Sequence, residues 1–175
     1  MTQTVRESPD IQLRPHRSGD MGWVVSRHGA LYASEYGWDM RFEALVARIT
    51  ADFIDRYDAT REACWIAERN GESIGSAFLV QARNETTHEP IEGCAQLRML
   101  LIEPQARGLG LGRRLVAQCE GFARERGYHR IMLWTNSLFL AARGIYQSAG
   151  YRLAHSETHH SFGHDLVGEI WEREL

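Results

Sequence analysis

Leu100-Leu101-Ile102-Glu103-Pro104-Gln105-Ala106-Arg107-Gly108-Leu109-Gly110-Leu111-Gly112-Arg113-Arg114-Leu115 runs from an apolar stretch through a proline into a glycine-rich turn and out along a helical stripe. The pattern predicts a strand over 95–102, closed by Pro104. A helix follows whose inner face is Leu111, Leu115, Cys119 and Phe122, ended by Gly127. Glycines let backbone N–H groups approach a ligand closely, and the opening of a helix adds its dipole, so such a turn favours phosphate. Two phosphate-binding loops can be excluded. A Walker A loop needs Gly-Lys-Ser/Thr, but Arg113-Arg114 follows Gly112. The dinucleotide fingerprint GxGxxG requires a third glycine where Arg113 stands, and an early βαβ unit with an acidic residue about twenty positions on. What remains is Arg-x-x-Gly-x-Gly, met by Arg107, Gly110 and Gly112.

Working outward, Ile11 to Arg14 alternates and stops at Pro15, a short first strand. Asp20 to about Ser34 suits a helix with Asp20 as its N-cap. In a second helix Phe42, Leu45, Val46, Ile49, Phe53 and Tyr57 form one apolar stripe. Cys64–Ala67 and Ile74–Val80 read as strands joined at Asn70-Gly71, a hairpin signal. The polar stretch 83–93 reads as a loop. Beyond the glycine-rich helix come a strand over 131–134, a helix over 138–148 stopped by Gly150, and two strands, 151–154 and 167–172, around a His-rich loop. The order β-α-α-β-β-β-α-β-α-β-β predicts an α/β fold in one domain over 1–175, with 1–10 a flexible N-terminus. A central mixed, mostly antiparallel sheet would be flanked by helices.

Composition agrees with a globular chain, at 175 residues, 43% hydrophobic and 25% charged. All twenty basic residues are arginine, which excludes a lysine Schiff base and a P-loop lysine. Three scattered cysteines, Cys64, Cys94 and Cys119, make neither a disulfide framework nor a zinc site, and read as buried thiols in a reducing compartment. The expectation is a cytoplasmic protein: 1–10 lacks the apolar run of a signal peptide, and no segment is long enough to span a bilayer. The net charge is −3, so no chain-wide basic surface points to nucleic acid. The segment from Arg98 to Arg130 nevertheless carries +4, leaving −7 elsewhere. Such an island suits phosphates, and the acidic remainder suits a cationic substrate.

The Arg107–Gly112 turn resembles the pyrophosphate-binding turn of the GCN5-related N-acetyltransferase (GNAT) superfamily, where it cradles the diphosphate of coenzyme A. Ala142, Tyr146, Gly150 and Tyr151 resemble its second motif, A-x-x-x-Y-x-x-x-G-F/Y, and the order of elements matches over nearly the whole chain. Three segments, 31–38, 133–136 and 159–163, look like the acetyltransferase half of proteins that fuse a MarR-type regulator to a GNAT domain. Nothing here resembles a recognition helix.

The resemblance implies a CoA-dependent enzyme that moves an acetyl group from acetyl-CoA directly to a primary amine of a small-molecule, peptide or lysine-like acceptor. It implies no metal, no nucleic acid and no membrane, and leaves a homodimer open. Backbone groups of Leu100, Leu101 and Ile102 would serve the thioester. Arg107, Gly108, Leu109, Gly110, Leu111, Gly112 and Arg113 would hold the diphosphate, with Ala142 from the second motif. The asparagine often found seven residues before the motif's tyrosine is Phe139 here, so Asn136 is the candidate instead. Tyr146 matches the tyrosine that protonates the leaving thiolate. Gln96 falls where many relatives carry a glutamate base, so Glu35, His155 and His159 become candidates, with Glu35 binding the amine and His159 orienting or deprotonating it. Gln96 and Phe139 also keep open a non-catalytic acetyl-CoA sensor, and another acyl-CoA, such as succinyl, is a further alternative. The cluster His155, His159, His160 and His164 lacks HExxH geometry and reads as a polar loop or substrate wall rather than a zinc site. Tyr32, Tyr36 and Trp38 read equally as core or as substrate lining.

Overall fold

A computed structural model describes residues 10–175, so all but the last residue of the expected flexible N-terminus lies outside the described residues. The elements are β1 (Gln12–Pro15), α1 (Asp20–Tyr36), α2 (Met40–Arg56), β2 (Ala63–Arg69), β3 (Glu72–Arg83), β4 (Pro90–Ile102), α3 (Leu111–Glu125), β5 (Arg130–Asn136), α4 (Leu140–Ser148), β6 (Arg152–Ser161) and β7 (His164–Glu174). A 3₁₀ turn, Pro104–Ala106, links β4 to the glycine-rich turn. The strands form one sheet in the order β1-β2-β3-β4-β5-β7-β6, antiparallel except for the β4–β5 pair. No helix among the described residues is long and apolar enough to cross a membrane.

Two apolar layers sandwich the sheet. α1 and α2 cover one face through Val24, Phe42, Val46 and Phe53, packed on Ile66 and Phe78. α3 and α4 cover the other through Leu111, Leu115, Cys119 and Tyr146, packed on Leu79, Leu97 and Ile131. Local signals set the element ends. Asp39 caps α2 by accepting from the Arg41 N–H at 3.0 Å, and Gly37, at φ +70°, closes α1 in the left-handed region.

Three expectations are corrected. Asp20 is the first residue of α1 and not its cap; Gly19 holds the cap position, while the Asp20 carboxylate accepts from Arg14 and from the Arg17 N–H. The loop expected at 83–93 is only 84–89, because β3 and β4 continue as a ribbon paired to Arg83↔Pro90. Most of that ribbon is exposed or half-buried, so it needs no apolar alternation, and Asn84 Oδ1 holds its turn by accepting from the Thr86 and Thr87 N–H groups. The His-rich loop is strand as well: β6 is an edge exposed along most of its length, and its polar composition concealed it.

The feature that opens the sheet lies in β4. Ser76 pairs with Leu101 and Phe78 with Arg98, so one residue of β3 faces two of β4, and Met99 takes φ +52°. This bulge inverts the alternation of β4. Ala95 and Leu97 before it, and Leu100 and Ile102 after it, all face the α3/α4 layer. β4 and β5 pair only over Cys94–Leu97 and Arg130–Leu133, then separate. A cleft starts where that ladder stops.

Candidate active site

At the mouth of the cleft the glycine-rich turn presents its backbone. Gly108 and Gly110 hold φ +78° and +75°, and a Cβ on either would meet no atom of the described residues within 4 Å. The Arg114 N–H is the first amide of α3 to find a carbonyl, that of Gly110 at 3.1 Å. Among the described residues the amides of 108–113 make no backbone hydrogen bond. Six unsatisfied N–H groups at a helix opening suit a polyanion. Gly112 has a second role: a Cβ there would come 2.6 Å from Ile145 Cδ1, so its lack of a side chain lets α4 approach α3.

The cleft occupies about 1380 Å³ and runs between β4 and β5, with α1 and α2 on one side and α4 on the other. That volume exceeds the roughly 300–1,000 Å³ of a single small-ligand pocket and leaves room for two substrates together. Leu100, Leu101, Ile102, Asn136 and Ala142 line it, as do Arg107, Gly108 and Gly110–Arg113. Leu109 does not, and stands 45% exposed.

Tyr146 reaches the cleft from α4 while its ring packs beside Tyr151, centroids 5.8 Å apart. Burial pushes its phenol well above the ordinary range, so it stays protonated at neutral pH. Among the described residues its hydroxyl makes no hydrogen bond, and it is not sealed from solvent.

The structure separates the other candidates. Glu35 lines the cleft, but its Oε1 accepts from Arg107 Nη2 at 2.6 Å, joining the end of α1 to the glycine-rich turn. His159 lies behind Asn136: its Nε2 is 3.2 Å from Asn136 Oδ1 and its Nδ1 2.9 Å from Ser161 Oγ. An amide oxygen only accepts, so Nε2 carries the proton and Nδ1 accepts from the serine. His155 pairs with Glu157 at 3.7 Å, His160 with Asp165 at 2.8 Å, and His164 donates to the Gly37 carbonyl at 3.0 Å. Among the described residues no group of three or more His, Cys, Asp or Glu side chains is placed to hold a metal. Tyr32, Tyr36 and Trp38 serve both readings, since they pack with Phe42 and Phe139 and also line the cleft.

Two further groups in the cleft went unnoticed as site residues. His28, 1% exposed, donates Nδ1–H to the Val24 carbonyl at 2.7 Å, and burial lowers its pKa to about 4. It is therefore neutral, with the Nε2 lone pair free. Its i−4 spacing from Val24 on an apolar helix face was the available signal. Arg98 lies opposite Phe78, on the α1/α2 face, and lines the cleft. Its position within an apolar strand was the clue.

Comparison with known proteins agrees with this geometry. Residues 31–151 match the model of the acetyltransferase (GNAT) family. The mycothiol acetyltransferase of Acidothermus cellulolyticus is 28% identical over 154 residues, covering 82% of this chain and 45% of that protein. Human N-acetyltransferase 8B is 28% identical over 137 residues, covering 78% and 55%. The chain thus spans about half the length of these relatives. Among solved structures, a ribosomal-protein-alanine N-acetyltransferase of Brucella melitensis superposes with a TM-score of 0.74 at 18% identity, over 94% of this chain and 99% of that one. A Salmonella typhimurium protein solved with its cofactor acetyl-CoA gives 0.75 at 18%, over 94% of each chain. With the splayed β4–β5 pair, the open glycine turn and a family match across most of its length, the chain belongs to the acetyltransferase (GNAT) family.

Proposed function

We propose that this chain is an N-acetyltransferase that transfers the acetyl group of acetyl-CoA directly to a primary amine of a small-molecule or peptide acceptor. One observation carries the reading: where β4 leaves β5, the cleft joins a turn of unsatisfied amides to a protonated Tyr146 that has no hydrogen-bond partner among the described residues. The amides of 108–113 fit a diphosphate, and Arg107 and Arg113 add charge beside them. From Arg98 to Ile102 the edge of β4 that faces β5 has no ladder among the described residues, so its backbone groups, apart from the Met99 carbonyl that accepts from Ser76, are open to an extended amide-bearing chain and to a thioester carbonyl. Tyr146 then gives its proton to the leaving thiolate as the amine nitrogen bonds to the acetyl carbon.

The amine must arrive neutral. Gln96 cannot take its proton, Glu35 is held by Arg107, both nitrogens of His159 are engaged, His155 does not line the cleft, and burial makes His28 too weak a base at a pKa of about 4. The reading therefore has water accept that proton, and the rate follows the fraction of free base. Within this reading the chain acts as one domain, with Asn136 on the cofactor side. The likeness of 31–38, 133–136 and 159–163 to MarR-fusion acetyltransferases supports a kinship with those enzymes.

The test is calorimetric titration with acetyl-CoA, followed by thiol release with a panel of amines. Micromolar binding, about −8 kcal/mol, with amine-dependent turnover supports the reading. Binding without turnover on any amine favours a sensor of acetyl-CoA, and no binding defeats both.

A further inference from the structure

The half of the cleft farthest from the glycine-rich turn is lined by α2 and the β3–β4 ribbon, and its charges are mainly arginine: Arg56, Arg83 and Arg98 against Asp52 and Glu85. Arg98 is the one that matters. It projects from the centre of the sheet, opposite Phe78, whose side chain is 1% exposed. Other arginines that enter the interior bring a carboxylate with them. Arg14, Arg27, Arg143 and Arg173 each meet one within 3.0 Å. Among the described residues Arg98 has neither a carboxylate within 4.0 Å nor a hydrogen-bond partner, and its nitrogens open onto the cleft. Burial pulls its pKa below the ordinary arginine value, with Asp52 acting against this from a distance. A half-buried guanidinium that opens onto the cleft without a protein partner gains one of opposite charge once an anion docks. Its planar fork matches a carboxylate through two parallel N–H···O bonds.

We propose that Arg98 anchors a carboxylate on the acceptor, so that the amine substrate of this enzyme is an amino acid. This rests on the acetyltransferase reading and narrows its acceptor class. It also replaces the cationic acceptor suggested by the chain-wide charge. A single guanidinium balances one negative charge, and Asp52 and Glu85 in the same half of the cleft disfavour a dianion, so the carboxylate is preferred to a phosphate.

The test uses wild type, Arg98→Gln and Arg98→Lys with acetyl-CoA. The amines are glycine, β-alanine, γ-aminobutyrate and L-leucine, each with its primary amide, compared at equal concentrations of free base. The proposal expects at least one acid to exceed its amide in kcat/KM by at least about tenfold. Arg98→Gln should erase that preference while leaving the KM for acetyl-CoA unchanged, and Arg98→Lys should keep part of it. Independently of turnover, N-acetyl-L-leucine should bind wild type in calorimetry and not Arg98→Gln, whereas N-acetyl-L-leucinamide should bind neither. Amides that match or exceed every acid would overturn the proposal, as would a preference that survives in Arg98→Gln. So would O-phosphoethanolamine outrunning every amino acid, or Arg98-dependent use of succinyl-CoA, which would move the carboxylate to the acyl group. A protein that binds acetyl-CoA but neither binds N-acetyl-L-leucine nor favours any acid refutes the anchor and spares the acetyltransferase reading. Failure to bind acetyl-CoA defeats that reading, and the N-acetyl-leucine titration still reports on Arg98.

Discussion

Replacing Tyr146 by phenylalanine removes one oxygen and leaves the ring. The ring is 5% exposed and packs beside Tyr151 and the α3/α4 layer, all of which phenylalanine preserves. Among the described residues the hydroxyl has no hydrogen-bond partner to orphan, so stability should stay within about 0.5 kcal/mol of wild type. The effect belongs to the chemical step. General acid catalysis contributes roughly 10²–10⁴-fold, or about 2.7–5.4 kcal/mol at 1.36 kcal/mol per decade. Burial raises the phenol pKa, which weakens it as an acid, but a thiolate leaving into the same desolvated site is raised too, so proton transfer stays near balance. The cleft is open to water, which can substitute as a donor, so the loss should fall near the lower end, about 10²-fold. The assay is a single turnover of acetyl-CoA-loaded protein mixed with excess amine, with acetyl-CoA affinity measured separately by calorimetry. A single-turnover rate close to wild type refutes the assignment. A rate loss matched by weaker acetyl-CoA binding or a lowered Tm returns Tyr146 to a packing role.

Gly110→Asp should fold, because no atom of the described residues lies within 4 Å of the new Cβ and aspartate tolerates φ +75° at modest cost, yet calorimetry should show no acetyl-CoA binding; retained affinity would remove the turn from the site. His28 is held at a pKa of about 4 against 6.5, so the unfolded chain takes up a proton that the folded chain refuses. Stability should be full above pH 6.5 and fall by roughly 3 kcal/mol towards pH 4, and urea unfolding of His28→Gln should lack that share of the slope. His159→Ala removes the donor to Asn136 Oδ1 and should lower kcat/KM without changing the shape of the pH–rate profile; a flattened acidic limb would show that His159 titrates as a base. Glu35→Gln removes a carboxylate from beside the phosphate turn and frees Arg107. Both side chains are partly exposed, so acetyl-CoA should bind up to about fivefold tighter at low salt, a gain of roughly 1 kcal/mol that vanishes at high salt. A raised amine KM with unchanged acetyl-CoA affinity would put Glu35 at the acceptor instead.

The glycine-rich turn was legible because its requirement is backbone conformation, and Gly108 and Gly110 meet it with positive φ. The order of elements was legible for a related reason: each buried strand and helix carries an apolar face of the right period. What escaped was structure whose cause lies outside the local segment. Neither the β3–β4 ribbon nor β6 buries a continuous face, so their polar sequences resemble loops, and only pairing with a neighbour makes them strands. The bulge escaped too. Nothing in Arg98-Met99-Leu100 announces that Met99 adopts φ +52°, and the Ser76 hydroxyl that donates to its carbonyl at 2.9 Å comes from the adjacent strand. The bulge reverses which face of the sheet the residues after Met99 address, so the placement of Leu100 and Ile102 on the α3/α4 side could not be read from spacing alone.

The chain-wide charge points to a different acceptor from the one the cleft's own charges favour. The acidic excess outside 98–130 suggested a surface for a cationic substrate, yet much of it serves the fold. Asp20 and Glu68 hold Arg14, and Glu169 holds Arg143 and accepts from the Trp171 indole N–H. Within the arginine-rich segment, Glu103 holds Arg27 and Glu120 holds Arg173. A carboxylate that is buried and paired offers little field to a ligand, since its partner cancels it at close range. What a substrate meets is the set of charges left unpaired along the cleft, and Arg98 is the most deeply placed of these. On the proposal that Arg98 anchors the acceptor, the sign of that residue, and not the sum over the chain, is what the acceptor must complement. An enzyme with a net charge of −3 can therefore select an anionic amine.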